Sequence, residues 1–259
     1  MQMQFLGTAS SFGIPEIGCD CDVCGSPFPK DRRMRCSVAV STEKTRVIID
    51  TGPDFRQQCL SHQIDRLSAV LITHLHADHI FGLDDVRKFN MLQAGSMPVY
   101  VPASMCYHFR EIFAYALEND NPLLTRPKFD LIPLEWGRFD VGDLSIEAFP
   151  VQHGDDTIAA FQFYGNQRRF AYLTDCKSMS SEVAAQVCGA DVIVLGALWD
   201  DERSHPNHLN LAEALKMADE LQGRQTFLTH ITHRMGRHDE VNARLPSHVK
   251  LAFDGQVTC

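Results

Sequence analysis

The sequence predicts a layered α/β or α+β fold in which sheets are covered by outer helices. Three observations carry that expectation. Short apolar runs with β-branched residues recur along the chain, helix-periodic segments fall between several of them, and Gly- and Asn-bearing turns punctuate a strand-rich centre. With 259 residues the chain suits one large domain, residues 1–259, better than two small ones. Burial of roughly 70–75% of the unfolded surface at this size lets it fold without disulfides.

In chain order, residues 1–8 read as a strand that enters a Gly-containing loop through Gly13-Ile14-Pro15. Residues 38–40 and 46–50 are a strand pair joined by a turn at 42–44. The apolar run 67–73 is a buried strand. Leu83, Val86 and Phe89 give 82–92 a helical period, 98–101 is a short strand, and 104–118 a second helix. Segments 139–141, 144–149, 157–163 and 168–174 alternate with turns, as hairpins do. A helix at 180–188, a strand at 192–195, a helix at 211–221 and a strand at 227–229 follow. In 251–257 the Asp254-Gly255 pair predicts a hairpin.

No run of about 18 apolar residues is present. The opening MQMQFLGTAS lacks the basic and apolar regions of a secretory signal, so a cytoplasmic location away from membranes is expected. The formal charge of −9 is the wrong sign for gripping a long nucleic acid. A small phosphorylated substrate is compatible with it, because bound divalent cations invert the local field. Of the nine cysteines, Cys19, Cys21 and Cys24 crowd into one loop, which in an unsignalled chain points to metal rather than disulfides. The other six read as inert buried thiols. Arg32, Arg33 and Arg35 read as solvated surface in preference to a substrate-binding cluster.

The chemistry-bearing feature is Thr73-His74-Leu75-His76-Ala77-Asp78-His79, directly after an apolar run. Side chains alternate along an extended segment, so His74 and His76 can point to one side, while Asp78 and His79 fall where the chain turns into the next helix. Imidazole and carboxylate suit zinc, manganese, iron or nickel, and the ligand types alone do not choose among them. Two metals need more ligands than this motif supplies. His153, Asp175 and His230 each close an apolar strand and complete the number.

In this order of strand-end residues the sequence resembles the metallo-β-lactamase superfamily. The resemblance implies an α+β fold, an αβ/βα sandwich of two facing mixed sheets flanked by helices, with metals at one edge. It implies that His74, His76 and His153 hold one divalent metal, that Asp78, His79 and His230 hold a second, and that Asp175 bridges them. It also gives Asp50 a supporting role, hydrogen-bonding the motif loop without touching metal.

Cys19-Asp20-Cys21-Asp22-Val23-Cys24 supplies three thiolates at positions 19–24, one short of a tetrahedral structural zinc, and His233 offers the fourth ligand. With this loop the chain resembles the PhnP-like cyclic-phosphate phosphodiesterases. Shared features include Gly7-Thr8-Ala9, Ile49-Asp50-Thr51-Gly52, Thr229 to His233, and Phe253-Asp254-Gly255. The same cysteine loop occurs in the PQQ-biosynthesis protein PqqB, which lacks the intact histidine motif. The resemblance implies hydrolysis of a small cyclic phosphodiester, such as 5-phosphoribosyl 1,2-cyclic phosphate, by hydroxide that two metals activate and that Asp78 and Asp175 orient. In Asn207-His208-Leu209-Asn210 it gives His208 the contact with substrate phosphate, and a histidine near its ordinary pKa is a good general acid. His205 reads as a loop histidine. The competing readings are a thioester or lactone hydrolase with the same metals, and a non-catalytic, metal-braced binding protein. A tRNA-processing nuclease is disfavoured by the acidic charge. A homodimer is left open.

Overall fold

Strands that are apolar on both faces must lie between two covering layers, and that rule organises this molecule. The computed structural model describes residues 1–117, 125–165 and 167–259. Its strands are β1 (Gln2–Gly7), β2 (Ser37–Ser41), β3 (Arg46–Ile49), β4 (Ala69–Leu71), β5 (Met97–Pro102), β6 (Phe129–Leu134) and β7 (Gly137–Val141). There follow β8 (Leu144–His153), β9 (Asp156–Gly165), β10 (Arg168–Leu173), β11 (Val192–Gly196), β12 (Gln225–Thr229), β13 (Val249–Leu251) and β14 (Val257–Thr258). Among the described residues they form two seven-stranded sheets, in spatial order β14-β1-β2-β3-β4-β5-β6 and β13-β12-β11-β10-β9-β8-β7. In each, antiparallel pairings at one end give way to parallel ones at the other, so both sheets are mixed.

The helices are α1 (Phe55–Ser61), α2 (Ala77–Ile80), α3 (Val86–Gln93), α4 (Cys106–Ile112), α5 (Ala114–Leu117), α6 (Ser181–Val187), α7 (Leu211–Leu221) and α8 (His238–Asn242). Strand alternation assigns the layers. In β10, Phe170 and Tyr172 enter a seam between the sheets with Phe5, Ile49, Phe163, Val194 and Phe227. Ala171 and Leu173 face the other way, among Val183, Val187, Ala214 and Ala218 of α6 and α7. In β3, Val47 and Ile49 enter the seam, while Ile48 lies with Phe55, Val86 and Phe89 of α1 and α3. The layering is therefore helix, sheet, sheet, helix, the αβ/βα sandwich. Each large side chain buried in it contributes about 1.5–3 kcal/mol.

Several sequence expectations need correction. The strand expected at 67–73 is short, because the chain leaves the sheet after Leu71 and spends the following residues on the motif loop. The helix expected at 104–118 is broken at Phe113, whose ring turns inward onto Phe109 and Phe129; Glu118 lies outside the described residues. β6 and α1 were not expected: Asp130 and Pro133 interrupt the apolar pattern of β6, which lies at a sheet edge.

The 251–257 hairpin does not form. β13 pairs with β12 in one sheet and β14 with β1 in the other, so the Asp254-Gly255 turn is a crossover between sheets. Arg33 is not solvated surface. It is 5% exposed and donates to the Thr8 hydroxyl, the Ala252 carbonyl and His238 Nδ1, which joins the N-terminal loop to the C-terminal crossover. Arg32 is exposed as expected, whereas half-buried Arg35 pairs with Asp54. Of the six scattered thiols Cys36, Cys59 and Cys176 are buried, Cys106 and Cys188 half-buried, and Cys259 exposed at the chain end. No helix among the described residues is long and apolar enough to cross a membrane.

Candidate metal centre

The ends of β3, β4, β8, β10 and β12 converge at one edge of the sandwich and carry, in that order, Asp50, the 73–79 loop, His153, Asp175 and His230. Asp50, Asp175 and His230 have φ of 61°, 56° and 57°. A left-handed backbone at a non-glycine residue costs about 1–2 kcal/mol, so just past three strand ends a candidate site residue sits in a strained conformation. The motif loop behaves differently. His74 precedes, and His76 caps, the short helix α2, whose first turn carries Asp78 and His79. Glycine makes room for this helix: a Cβ on Gly52 would collide with the Asp78 carbonyl, and one on Gly82 with the Gly52 carbonyl.

Hydrogen bonds at the outer nitrogens fix the tautomers. The Asp50 carboxylate accepts from the Thr73 N–H at 2.8 Å, the Thr73 hydroxyl at 2.8 Å and His79 Nδ1 at 2.7 Å. The Thr73 hydroxyl, having donated its hydrogen, accepts from His74 Nδ1 at 3.0 Å. His153 Nδ1 donates to the Asp175 carbonyl at 2.9 Å and the Asn207 carbonyl at 3.1 Å. With Nδ1 donating in all three rings, Nε2 of His74, His79 and His153 presents a lone pair. His76 turns its Nδ1 to within 2.8 Å of His74 Nε2.

The inner spacings are not those of hydrogen bonds. His79 Nε2 lies 3.4 Å from Asp78 and 3.3 Å from Asp175, and His230 Nε2 lies 3.5 Å and 3.3 Å from the same two carboxylates. Asp175 also stands 3.7 Å from His74 Nε2. His79 Nε2 and both ring nitrogens of His230 are buried without a hydrogen-bond partner. Donor and acceptor in a charged pair approach to about 2.7–2.9 Å, as His79 Nδ1 and Asp50 do. Ligands around a common cation stay roughly 3 Å or more apart, so the spacings among Asp78, His79, Asp175 and His230 fit metal, whereas His74 Nε2 and His76 Nδ1 stand at hydrogen-bond distance from each other. The residues group as His74, His76 and His153; His74, His79 and Asp175; and Asp78, His79 and His230.

The charges agree. Burial opposes the ionised Asp78 and Asp175 carboxyls, but His230 and His79 outweigh it and lower both. Burial likewise opposes charge on His79, yet Asp50 and Asp175 raise it well above the ordinary range. At His79 and His230 the carboxylates favour positive charge, which a cation at Nε2 satisfies as a proton does, whereas burial holds His74 and His153 neutral.

A second cluster lies near the same edge. Sγ of Cys19, Cys21 and Cys24 stand 3.2, 3.3 and 3.5 Å from His233 Nδ1. Bonds of 2.0–2.3 Å in a tetrahedron put ligand atoms roughly 3.3–3.8 Å apart, so these four residues fit one zinc. The Cys24 N–H lowers the Cys21 thiol to about 7. Independently of metal, Ser10 N–H donates to the Ile231 carbonyl and Ile231 N–H to the Thr8 carbonyl, stitching the first loop to the segment after His230.

His208 reaches the centre, its ring stacked on His230 at 4.9 Å and set edge-on to His153 at 4.8 Å. It is not a histidine of ordinary pKa, as the sequence suggests: burial and then His230 push it down to about 3. The ring is neutral and offers an N–H. It also groups with His153 and Asp175 as a set able to hold metal. His205 packs between Trp199 and His208 at the rim. The hydrogen bonds of Thr73 and Lys177 were not legible in the sequence; their only signal was their place, Thr73 next to His74 and Lys177 two residues after Asp175.

A sequence model of the β-lactamase superfamily domain matches residues 45–231. The chain belongs to the metallo-β-lactamase superfamily. The matched span contains all seven candidate ligands of the strand ends and motif, whereas the cysteine loop and His233 lie outside it. Among solved superfamily structures, a diphosphatase from the PhnP family is 34% identical, covers 100% of this chain and 97% of its own, and superposes with a TM-score of 0.89. Zinc-bound PqqB from Methylobacterium extorquens, 20% identical over 100% of both chains, shares the superfamily fold with a TM-score of 0.78. An octanoyltransferase of Porphyromonas gingivalis is 32% identical over 98% of this chain, which spans 51% of that protein's length.

Proposed function

We propose that this chain is a metal-dependent hydrolase of a small phosphodiester, cyclic diesters such as 5-phosphoribosyl 1,2-cyclic phosphate included. The observation that carries the reading is Asp175, whose carboxylate stands 3.3–3.7 Å from Nε2 of His79, His230 and His74, at the junction of two ligand groups. His74, His76 and His153 would hold one cation, Asp78, His79 and His230 the other, with Asp175 reaching both. Cys19, Cys21, Cys24 and His233 would hold a structural zinc. The whole-length likeness to a diphosphatase from the PhnP family supports phosphorus over carbon as the reacting centre.

Two divalent cations would supply Lewis acidity toward a phosphoryl oxygen and lower the pKa of water. Around them the protein's own groups orient the reactants. Asp78 and Asp175, held ionised, accept hydrogen bonds from the attacking water. His208 donates its N–H to a phosphoryl oxygen, aligned by its stack on His230. The left-handed backbones at Asp175 and His230 aim these side chains before substrate arrives.

A second reading is favoured by the octanoyltransferase relative: hydrolysis of an acyl thioester at the same centre. Protein purified without chelator, assayed for metal content and on bis-p-nitrophenyl phosphate, a cyclic phosphodiester panel and an octanoyl thioester, separates them. The proposal expects about two labile metals plus one thiolate-bound zinc, phosphodiester turnover, and loss of that turnover in His76→Ala and His208→Ala. Thioester turnover alone, or full activity in His76→Ala, overturns it.

A further inference from the structure

The His208 ring has to be held in place by something other than its own hydrogen bonds. Among the described residues no hydrogen bond reaches that ring; it is stacked on His230 and set against His153, at the end of a long turn between β11 and α7. Its backbone is better anchored. Lys177 Nζ donates to the His208 carbonyl at 3.1 Å, to the Ser204 hydroxyl at 3.3 Å and to the Glu213 carboxylate at 2.8 Å. An ammonium has three N–H donors; two are used on this turn and the third on the first turn of α7.

Each partner extends the anchor. Glu213 accepts from the Asn210 N–H at 3.0 Å and from the Ser204 hydroxyl at 2.9 Å, and its own N–H donates to Asn210 Oδ1 at 2.9 Å. That is the capping box that starts α7. At the other end, Lys177 N–H donates to the Gln152 carbonyl at 2.7 Å, and Gln152 N–H to the Ser178 carbonyl at 2.8 Å. Gln152 neighbours His153, and Lys177 lies two residues beyond Asp175. One residue, through its backbone N–H and its ammonium, thus connects the strand ends carrying His153 and Asp175 to the turn carrying His208.

We propose that Lys177 is the positioning residue for His208, holding the 204–208 turn through the His208 carbonyl, Ser204 and Glu213 so that the imidazole faces the ligand cluster. The inference rests on reading that cluster as a phosphodiester-hydrolysing centre. Lys177 touches no reacting atom. Its side chain is 22% exposed, so the three bonds are partly shielded from competing water. The cap of α7 survives without it, because Glu213 keeps its bonds to Asn210 and Ser204, so loss of the lysine loosens the turn without unfolding the helix.

The test compares wild type, Lys177→Met, Lys177→Arg and the surface control Lys216→Met in the metal-loaded protein. The readouts are steady-state hydrolysis of bis-p-nitrophenyl phosphate, metal content, and amide hydrogen exchange of the 203–210 segment. Displacement of a catalytic group by about 1 Å can cost on the order of 100-fold. Lys177→Met is therefore expected to lose about 10- to 100-fold in kcat, with KM and metal content close to wild type and faster exchange in 203–210. Lys177→Arg restores part of kcat, and Lys216→Met behaves as wild type. A kcat for Lys177→Met within about twofold of wild type, or a loss matched by metal release, overturns the inference. Should wild type not hydrolyse the diester, the hydrolytic reading fails separately, and unchanged exchange in Lys177→Met would then refute the anchor itself.

Discussion

Asp50→Asn tests whether a buried carboxylate organises the centre. Its two oxygens take three donors: Oδ1 accepts from the Thr73 N–H at 2.8 Å, while Oδ2 accepts from the Thr73 hydroxyl at 2.8 Å and His79 Nδ1 at 2.7 Å. An asparagine offers one acceptor. Placing its oxygen toward His79 keeps two bonds but sets an amide N–H against the Thr73 N–H, leaving a buried donor unpaired at about 1–3 kcal/mol. The two surviving bonds lose their charge, each falling from about 1.5–3 to about 0.5–1.5 kcal/mol. Together these give a loss of about 3–6 kcal/mol, or roughly 6–24 °C in Tm for a chain of this size. Asparagine tolerates the left-handed φ of 61° at this position, so backbone strain does not confound the result. Metal affinity should fall about 10- to 100-fold, as it does when a ligand's supporting group is removed. Urea unfolding of the metal-stripped protein measures the first quantity, and competition with a chromophoric chelator the second. Stability within about 0.5 kcal/mol of wild type together with unchanged metal affinity would refute the reasoning.

Other outcomes follow from the same geometry. At His230, where φ is 57°, the glycine variant should be more stable than the alanine variant by about 1 kcal/mol in metal-free protein; chemical denaturation showing alanine ahead would contradict the strain. Burial raises the Asp254 carboxyl to about 6 from 3.8, so the folded state holds a proton that the unfolded chain releases earlier. Asp254 therefore contributes stability below about pH 4 that is lost as pH rises through about 6. That span is worth roughly 3 kcal/mol, discounted to about 2 for a half-buried group. The stability difference between wild type and Asp254→Asn should shift by that amount across the window, and a pH-independent difference would count against it. Mild chelation should remove about two metals and leave about one, and Cys24→Ala should lose the resistant one; atomic absorption after dialysis decides it.

Elements whose two faces are both apolar are legible in the amino-acid order alone. Val47, Ile48 and Ile49, or Phe170 to Leu173, lie between a facing sheet and a helix layer, so layered sheets under helices were legible from pattern, while the two-sheet sandwich came from the resemblance to the superfamily. The sequence also singled out the candidate metal ligands that the fold brings together, because the 74–79 motif and the 19–24 cysteines are dense local spacings and the remaining candidates close apolar strands. Tertiary structure decided what depends on distant partners. Arg33 looked like solvated charge until Thr8, Ala252 and His238 closed around it. Asp254-Gly255 looked like a hairpin until two separate sheet edges claimed its flanking strands. His208 looked like a histidine of ordinary pKa until burial beside His230 made it neutral, and Lys177 carried no signal beyond its place after Asp175. Periodicity and motif spacing are local and survive in the sequence, whereas desolvation and hydrogen-bond partnership arise only when residues far apart in the chain are brought together.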